Sequence, residues 1–229
     1  MVKTSDFESI LNPAEEPQPP RYIVIEGPIG VGKTTLTKMI AKSLGYETML
    51  EKAEENPFLP RFYSDRHNAA LPTQLFFLLQ RVQQISTLRQ EDLFAPNRVA
   101  DFLIEKDQLF AEVNLGQDEL KLYQQIYQHL TIDAEKPDLV VYLQAPANVL
   151  LERIKKRGIP EEQNIDEDYL NALIYAYTKL FHYYDSAPLL IINAANIDWA
   201  NSEADYKHLL EYLLSIKSGR HYYNPQPSL

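Results

Sequence analysis

Apolar positions along the chain fall into two alternating periods. Short β-rich runs near 21–26, 46–51, 97–104, 138–143 and 188–192 read as strands, and segments near 33–44, 71–90, 117–131, 146–157, 166–184 and 202–216 carry helical spacing. Such alternation calls for a parallel sheet covered on both faces. The expected fold is an α/β domain in three layers, a five-stranded parallel sheet flanked by helices. Residues 1–20 hold four of the 15 prolines and no sustained period, so they read as a loosely ordered N-terminal arm; 21–217 read as the domain and 218–229 as a C-terminal tail. Ligands of such sheets sit beyond the carboxyl ends of the strands. Gly27 onward, Glu51, and Asp101 with the residues after it are therefore expected to share one crevice.

The first strand runs straight into GPIGVGKTT at 27–35. Gly27, Gly30 and Gly32 allow the backbone close to an anion, Lys33 offers a point charge to the β- and γ-phosphates, and Thr34 offers a hydroxyl to Mg²⁺. With Thr35 they form a phosphate loop in the strand-to-helix context that the motif requires. ATP and Mg²⁺ are the expected ligands. No guanine-specific signature accompanies the loop, which favours a small-molecule kinase over a switch GTPase.

Glu51 ends the second strand run and points into the same crevice, where a carboxylate can orient a hydroxyl and accept its proton. On the helix at 71–90, Gln74 and Arg81 lie two turns apart on nearly one face and suit the edge of a planar base. Arg153 and Arg157 stand at i and i+4 before the helix stop Gly158, as mobile cations of a lid over a phosphoryl group would. Each of these residues taken singly is also compatible with a solvated surface position.

Charge and composition remove several alternatives. The 229 residues are 45% hydrophobic, enough for one core, and 22 Lys plus Arg against 32 Asp plus Glu give a net charge of -10. That balance disfavours a nucleic-acid partner, which needs clustered cations. No basic start leads into an apolar run and no apolar stretch reaches about 18 residues, so neither a signal peptide nor a membrane span is expected and a cytoplasmic location is. With no cysteine, the chemistry falls to carboxylates, Arg, Lys, Tyr or His.

The chain resembles the deoxyribonucleoside kinase family from about Tyr22 to Leu214. The resemblance is carried by GPIGVGKTT, by a strand-ending Glu followed by NPFLPRFY, by PTQLFFLLQR and KPDLVVYLQAP, and most specifically by RIKKRGIPEEQNIDEDYL. It implies a P-loop kinase fold with a short Arg-containing lid and transfer of the γ-phosphate of ATP to the 5′-hydroxyl of a deoxyribonucleoside. By position it implies Glu51 as the base, Tyr63 and Glu162 on the 3′-hydroxyl, and Gln74 on the nucleobase with Arg81 and Asp107 nearby. Phe77 and Phe110 would pack on the base, Arg153 and Arg157 would be lid cations, and Asp101 would act on Mg²⁺ through water. Arg81 with Asp107 resembles relatives that take purine deoxynucleosides, with deoxycytidine the other candidate. A homodimer through helices in 118–130 and 169–184 is implied as well.

One departure matters. Where the family carries an acid, then Arg, then Ser, this chain has Asp101-Phe102-Leu103, and Ile159 stands where relatives often have a lid Arg. A lost charge at a phosphoryl-transfer site costs about 10²- to 10³-fold in rate. Arg81, Arg98 or Lys106 are the available replacements. Two other readings stay open: a nucleotide-sensing or partner-binding protein with weakened transfer, and a nucleoside monophosphate kinase.

Overall fold

In the computed structural model, residues 19–90, 96–131, 135–195, 197 and 199–224 are described, so the proline-rich arm lies outside them up to residue 18. Six strands, all parallel, form one sheet: β1 (Tyr22–Glu26), β2 (Glu47–Met49), β3 (Arg98–Ala100), β4 (Leu139–Gln144), β5 (Leu189–Asn193) and β6 (Arg220–Tyr223), in the order β2-β3-β1-β4-β5-β6. All five residues of β1 are buried, which requires cover on both faces of the sheet. The β-branched run Ile23-Val24-Ile25 supplies that centre and is wholly inaccessible.

Eight α-helices among the described residues flank the sheet: α1 (Lys33–Leu44), α2 (Leu59–Ser64), α3 (Arg66–Gln90), α4 (Lys106–Asn114), α5 (Gln117–Leu130), α6 (Ala147–Arg157), α7 (Glu167–Tyr183) and α8 (Glu203–Ser215). Two starts are fixed by side chains, since Asp166 accepts the Tyr169 N–H at 2.7 Å and Ser202 accepts the Asp205 N–H at 3.2 Å. Helix α6 stops where Gly158 takes a left-handed φ of 71°.

The count of five strands is corrected to six. Arg220–Tyr223, from the segment read as a tail, pairs with β5 as an edge strand; its pattern of alternating exposed and partly covered residues lacks the continuous apolar run of the inner strands. The strands expected at 46–51 and 97–104 shorten to three residues each. Beyond β3 the chain turns at Asp101 and enters α4 at Lys106; residues 101–104 read as strand because Phe102, Leu103 and Ile104 continue the apolar run, and α4 itself has no counterpart among the expected helices. Helix α3 begins five residues earlier than its periodicity suggests and contains Pro72.

The sheet order reverses at β1, which lies between β3 and β4. In open parallel sheets that reversal opens a crevice at the carboxyl ends. Gly27, Glu51 and Asp101 follow β1, β2 and β3 at that end.

Candidate active site

Gly30 and Gly32 adopt φ of 82° and 105°, a region that side chains disfavour. A Cβ on Gly30 would also lie 2.9 Å from Ile154 Cγ1 and 3.0 Å from the Leu150 carbonyl of α6, so the loop packs too closely for any other residue. Helix α1 then starts with no side-chain cap and no acidic residue in its first turn. Its free N–H groups and dipole face the concave side of the loop and suit an anion. Lys33 curls over the loop and donates to the carbonyls of Gly27 at 2.7 Å and Pro28 at 3.3 Å. Burial, reinforced by the charge of Lys106, pulls its ammonium down to about 8.

Asp101, just after β3, ties the first turn of α1 to the end of β2. Its Oδ2 accepts the Thr34 hydroxyl at 2.6 Å and its Oδ1 accepts the Glu51 N–H at 2.7 Å. Glu26, wholly buried at the end of β1, accepts the Gly27 N–H and the Tyr177 hydroxyl, each at 2.9 Å, on Oε1, and the Leu103 N–H at 2.8 Å on Oε2. Sequence reasoning passed over Glu26 because its partners lie 77 and 151 residues away.

A cleft of about 170 Å³ opens beside the loop, and Lys33, Thr34, Asp101, Glu51, Gln74 and Arg81 are among the residues that line it. Both oxygens of Glu51 are engaged, Oε1 by Arg81 and Oε2 by Lys106 at 3.0 Å. Arg81 also donates to Asp107, which is fully buried behind it, and its guanidinium carbon sits 5.0 Å from the Phe77 ring centroid. Burial lowers Arg81 to about 10, still protonated near neutrality. Gln74 is 3% exposed, and Phe77 and Phe110 line the cleft with it. Two polar residues on a buried face of α3 are costly unless they meet a polar partner.

Tyr63, Arg157 and Glu162 close the outer rim, with Arg157 paired to Glu162. Burial and the Glu162 carboxylate raise the Tyr63 hydroxyl well above its ordinary value, keeping it a neutral donor. Arg153 is not among the residues lining this cleft. It donates to the carbonyls of Val31 at 3.3 Å and Ala194 at 2.8 Å, and lines a second pocket of about 160 Å³ with Gly32, Thr35 and Trp199. Trp199 was not singled out from sequence, and Lys106 was named only as one of three cations able to replace the missing Arg, with no place in the cleft assigned to it. Trp199 is the chain's one tryptophan, in the loop after β5, which was a usable signal; Lys106 had none beyond its place after Asp101.

The oxygens of Thr34 and Asp101 are hard donors at the lip of the phosphate loop, and their chemistry fits Mg²⁺. Among the described residues no group of three or more His, Cys, Asp or Glu is arranged to hold a metal ion. No helix among the described residues is long and apolar enough to cross a membrane.

The family model for deoxynucleoside kinases matches residues 23–216. The chain is 34% identical to deoxyguanosine kinase of Bacillus subtilis (strain 168), over 85% of this chain and 97% of that protein. It is 31% identical to deoxyadenosine kinase of Lactobacillus acidophilus, over 83% of this chain and 94% of the relative. Among solved structures, deoxyadenosine kinase from M. mycoides with products dCMP and a flexible dCDP bound superposes with a TM-score of 0.74 at 30% identity, covering 85% of this chain and all of that one. The same enzyme with bound dATP gives 0.74 at 28% identity, covering 85% and 99%. The family model over residues 23–216, together with relatives more than 30% identical over most of both chains and a shared fold, places the chain in the deoxynucleoside kinase family.

Proposed function

We propose that this chain transfers the γ-phosphoryl group of ATP to the 5′-hydroxyl of a deoxyribonucleoside, with purine deoxynucleosides preferred and deoxycytidine the other candidate. The observation that carries the reading is Glu51, whose carboxylate lies at the end of β2 in the same cleft as Lys33 and Thr34. A hydroxyl bound there meets an acceptor for its proton on one side and the phosphate loop on the other.

The N–H groups of the loop and the start of α1 bind the triphosphate, and Lys33 leaves its loop carbonyls for the β- and γ-phosphates. Mg²⁺, when bound by Thr34 and, through water, Asp101, neutralises phosphate charge. Gln74 pairs with the base edge while Phe77 and Phe110 cover its faces. Arg81, held against Asp107, presents donors to exocyclic groups; the deoxyguanosine and deoxyadenosine kinases among the relatives support the purine preference. Tyr63 and Glu162 hold the 3′-hydroxyl, and Arg157 changes partner from Glu162 to the transferring group as the lid closes. The bonds of Arg153 to Val31 and Ala194 fix the outer side of the loop, where it and Trp199 bound a slot for the ATP base. The 5′-proton passes to Glu51 as the oxygen bonds to phosphorus, and ADP leaves with the electrons of the broken P–O bond.

A monophosphate acceptor would set its 5′-phosphate against Glu51, so a nucleoside is favoured. A homodimer suits the exposed Leu122 of α5 and Tyr175 and Tyr183 of α7, and a cytoplasmic location suits an enzyme that meets free nucleosides and ATP. Glu51→Gln keeps the shape of the side chain and removes its basicity. It should retain ATP binding by calorimetry while kcat falls by about 10²- to 10⁴-fold; unchanged turnover would reject Glu51 as the base.

A further inference from the structure

Lys106 opens α4, five residues beyond Asp101, and is only 2% exposed. Its ammonium lies between two carboxylates, 3.0 Å from Glu51 Oε2 and 3.9 Å from Glu26 Oε2. These two anions differ in freedom. Glu26 is held by three donors in the core and cannot swing, whereas the Glu51 side chain is 19% exposed at the cleft wall. An ammonium anchored on the fixed anion keeps its position when the other is neutralised.

The other cations near the cleft are committed elsewhere. Lys33 serves the loop, Arg81 is shared between Glu51 and Asp107 and lies over Phe77, and Arg157 belongs to the rim. No charge comes from the position after Asp101, because the Phe102 side chain is buried beneath Arg81. A transferring phosphoryl group spreads negative charge over its oxygens, and a preorganised cation in a dry site is the main means of stabilising it.

We propose that Lys106 is a catalytic residue, contacting the 5′-oxygen and the transferring phosphoryl group through its ammonium. The inference rests on the kinase reading above. As the 5′-oxygen bonds to the γ-phosphorus, its proton passes to Glu51, and the bond from that phosphorus to the bridging oxygen breaks with its electron pair leaving on ADP. Glu51 becomes neutral and releases Lys106, which stays anchored on Glu26 and turns its charge to the reacting oxygens. The charge missing at Phe102 is thus supplied from the first turn of the next helix.

The test compares the unaltered chain with Lys106→Met and Lys106→Arg, measuring ADP release with Mg-ATP and each natural deoxyribonucleoside, ligand binding by calorimetry, and melting. Lys106→Met should lower kcat by about 10²- to 10³-fold and leave both dissociation constants within about threefold; Lys106→Arg should recover to within about tenfold of the unaltered rate. If Lys106→Met does not fold, Lys106→Gln, which keeps a donor for Glu51 without the charge, takes its place in the comparison. An uncharged variant with kcat within about threefold of normal, a loss confined to binding, or an Arg variant no better than the uncharged one would overturn the assignment. Silence of the unaltered chain with every nucleoside would instead overturn the kinase reading, and this assignment with it.

Discussion

A single side chain decides how the acceptor cleft is charged. Phe102 is 1% exposed, and its ring faces the Arg81 guanidinium at 5.8 Å, so the position belongs to the core beneath the site. Phe102→Arg would place a second guanidinium beside Arg81 without a free carboxylate to receive it. Burying an uncompensated charge costs about 3 kcal/mol or more, which for a chain of this size lowers Tm on the order of 10 °C. Calorimetric melting should show that drop, with no gain in turnover; a variant that melts normally and turns over faster would show that the position is a vacant cation site. The residues readable from sequence were those whose type and place in an element already imply a task. Glu51 was legible because it ends a strand run, and Lys33 and Thr34 because glycines precede them. Glu26 was not, and Lys106 only as one of three candidate cations, since their meaning depends on partners brought together from distant parts of the chain.

Elements were legible where one period runs long. Helices α1, α6, α7 and α8 lie within about two residues of the bounds their apolar spacing suggests, with Gly158 marking the end of α6. Short elements were not. Helices α2 and α4 span 6 and 9 residues, too few turns for a helical period to stand out, and α4 follows an apolar run that reads equally well as strand. Strand β6 pairs along one edge only and exposes Tyr222, so its sequence resembles a tail. With α4 absent from the expected elements, Lys106 was named as a possible cation without a direction, because a residue's direction into the cleft follows from the element that carries it. The aromatic run of α7 divides by helical geometry: Tyr177 and Phe181 stack with Tyr142 in the core, while Tyr175 and Tyr183 face outward.

The whole molecule carries an unusual load of buried phenols, and this fixes its response to alkali. Burial raises the hydroxyls of Tyr22, Tyr123, Tyr177 and Tyr184 well above their ordinary value near 10. Above pH 10 the unfolded chain loses these protons and the folded chain keeps them, so each group withdraws about 1.4 kcal/mol of stability per pH unit. Buried Lys33 and Lys106, pulled down to about 8, act in the opposite sense from pH 8 to their ordinary value near 10.5, where the unfolded chain holds more protons. The urea midpoint followed by circular dichroism should therefore fall steeply between about pH 10 and 12. A flat midpoint over that range would mean that the phenols ionise in place.

The fold also sets where the two substrates meet. Strand order reverses at β1, and the phosphate loop and the strand ends bearing Glu51 and Asp101 converge there, so donor and acceptor face each other across one crevice. The most direct measurement is ADP release with Mg-ATP and each of the four natural deoxyribonucleosides in turn, with Lys33→Ala as the blank. The account predicts turnover with deoxyguanosine or deoxyadenosine ahead of the pyrimidines, and none in the blank. Silence with all four nucleosides in a protein that binds ATP, or equal rates with Lys33→Ala, would contradict it.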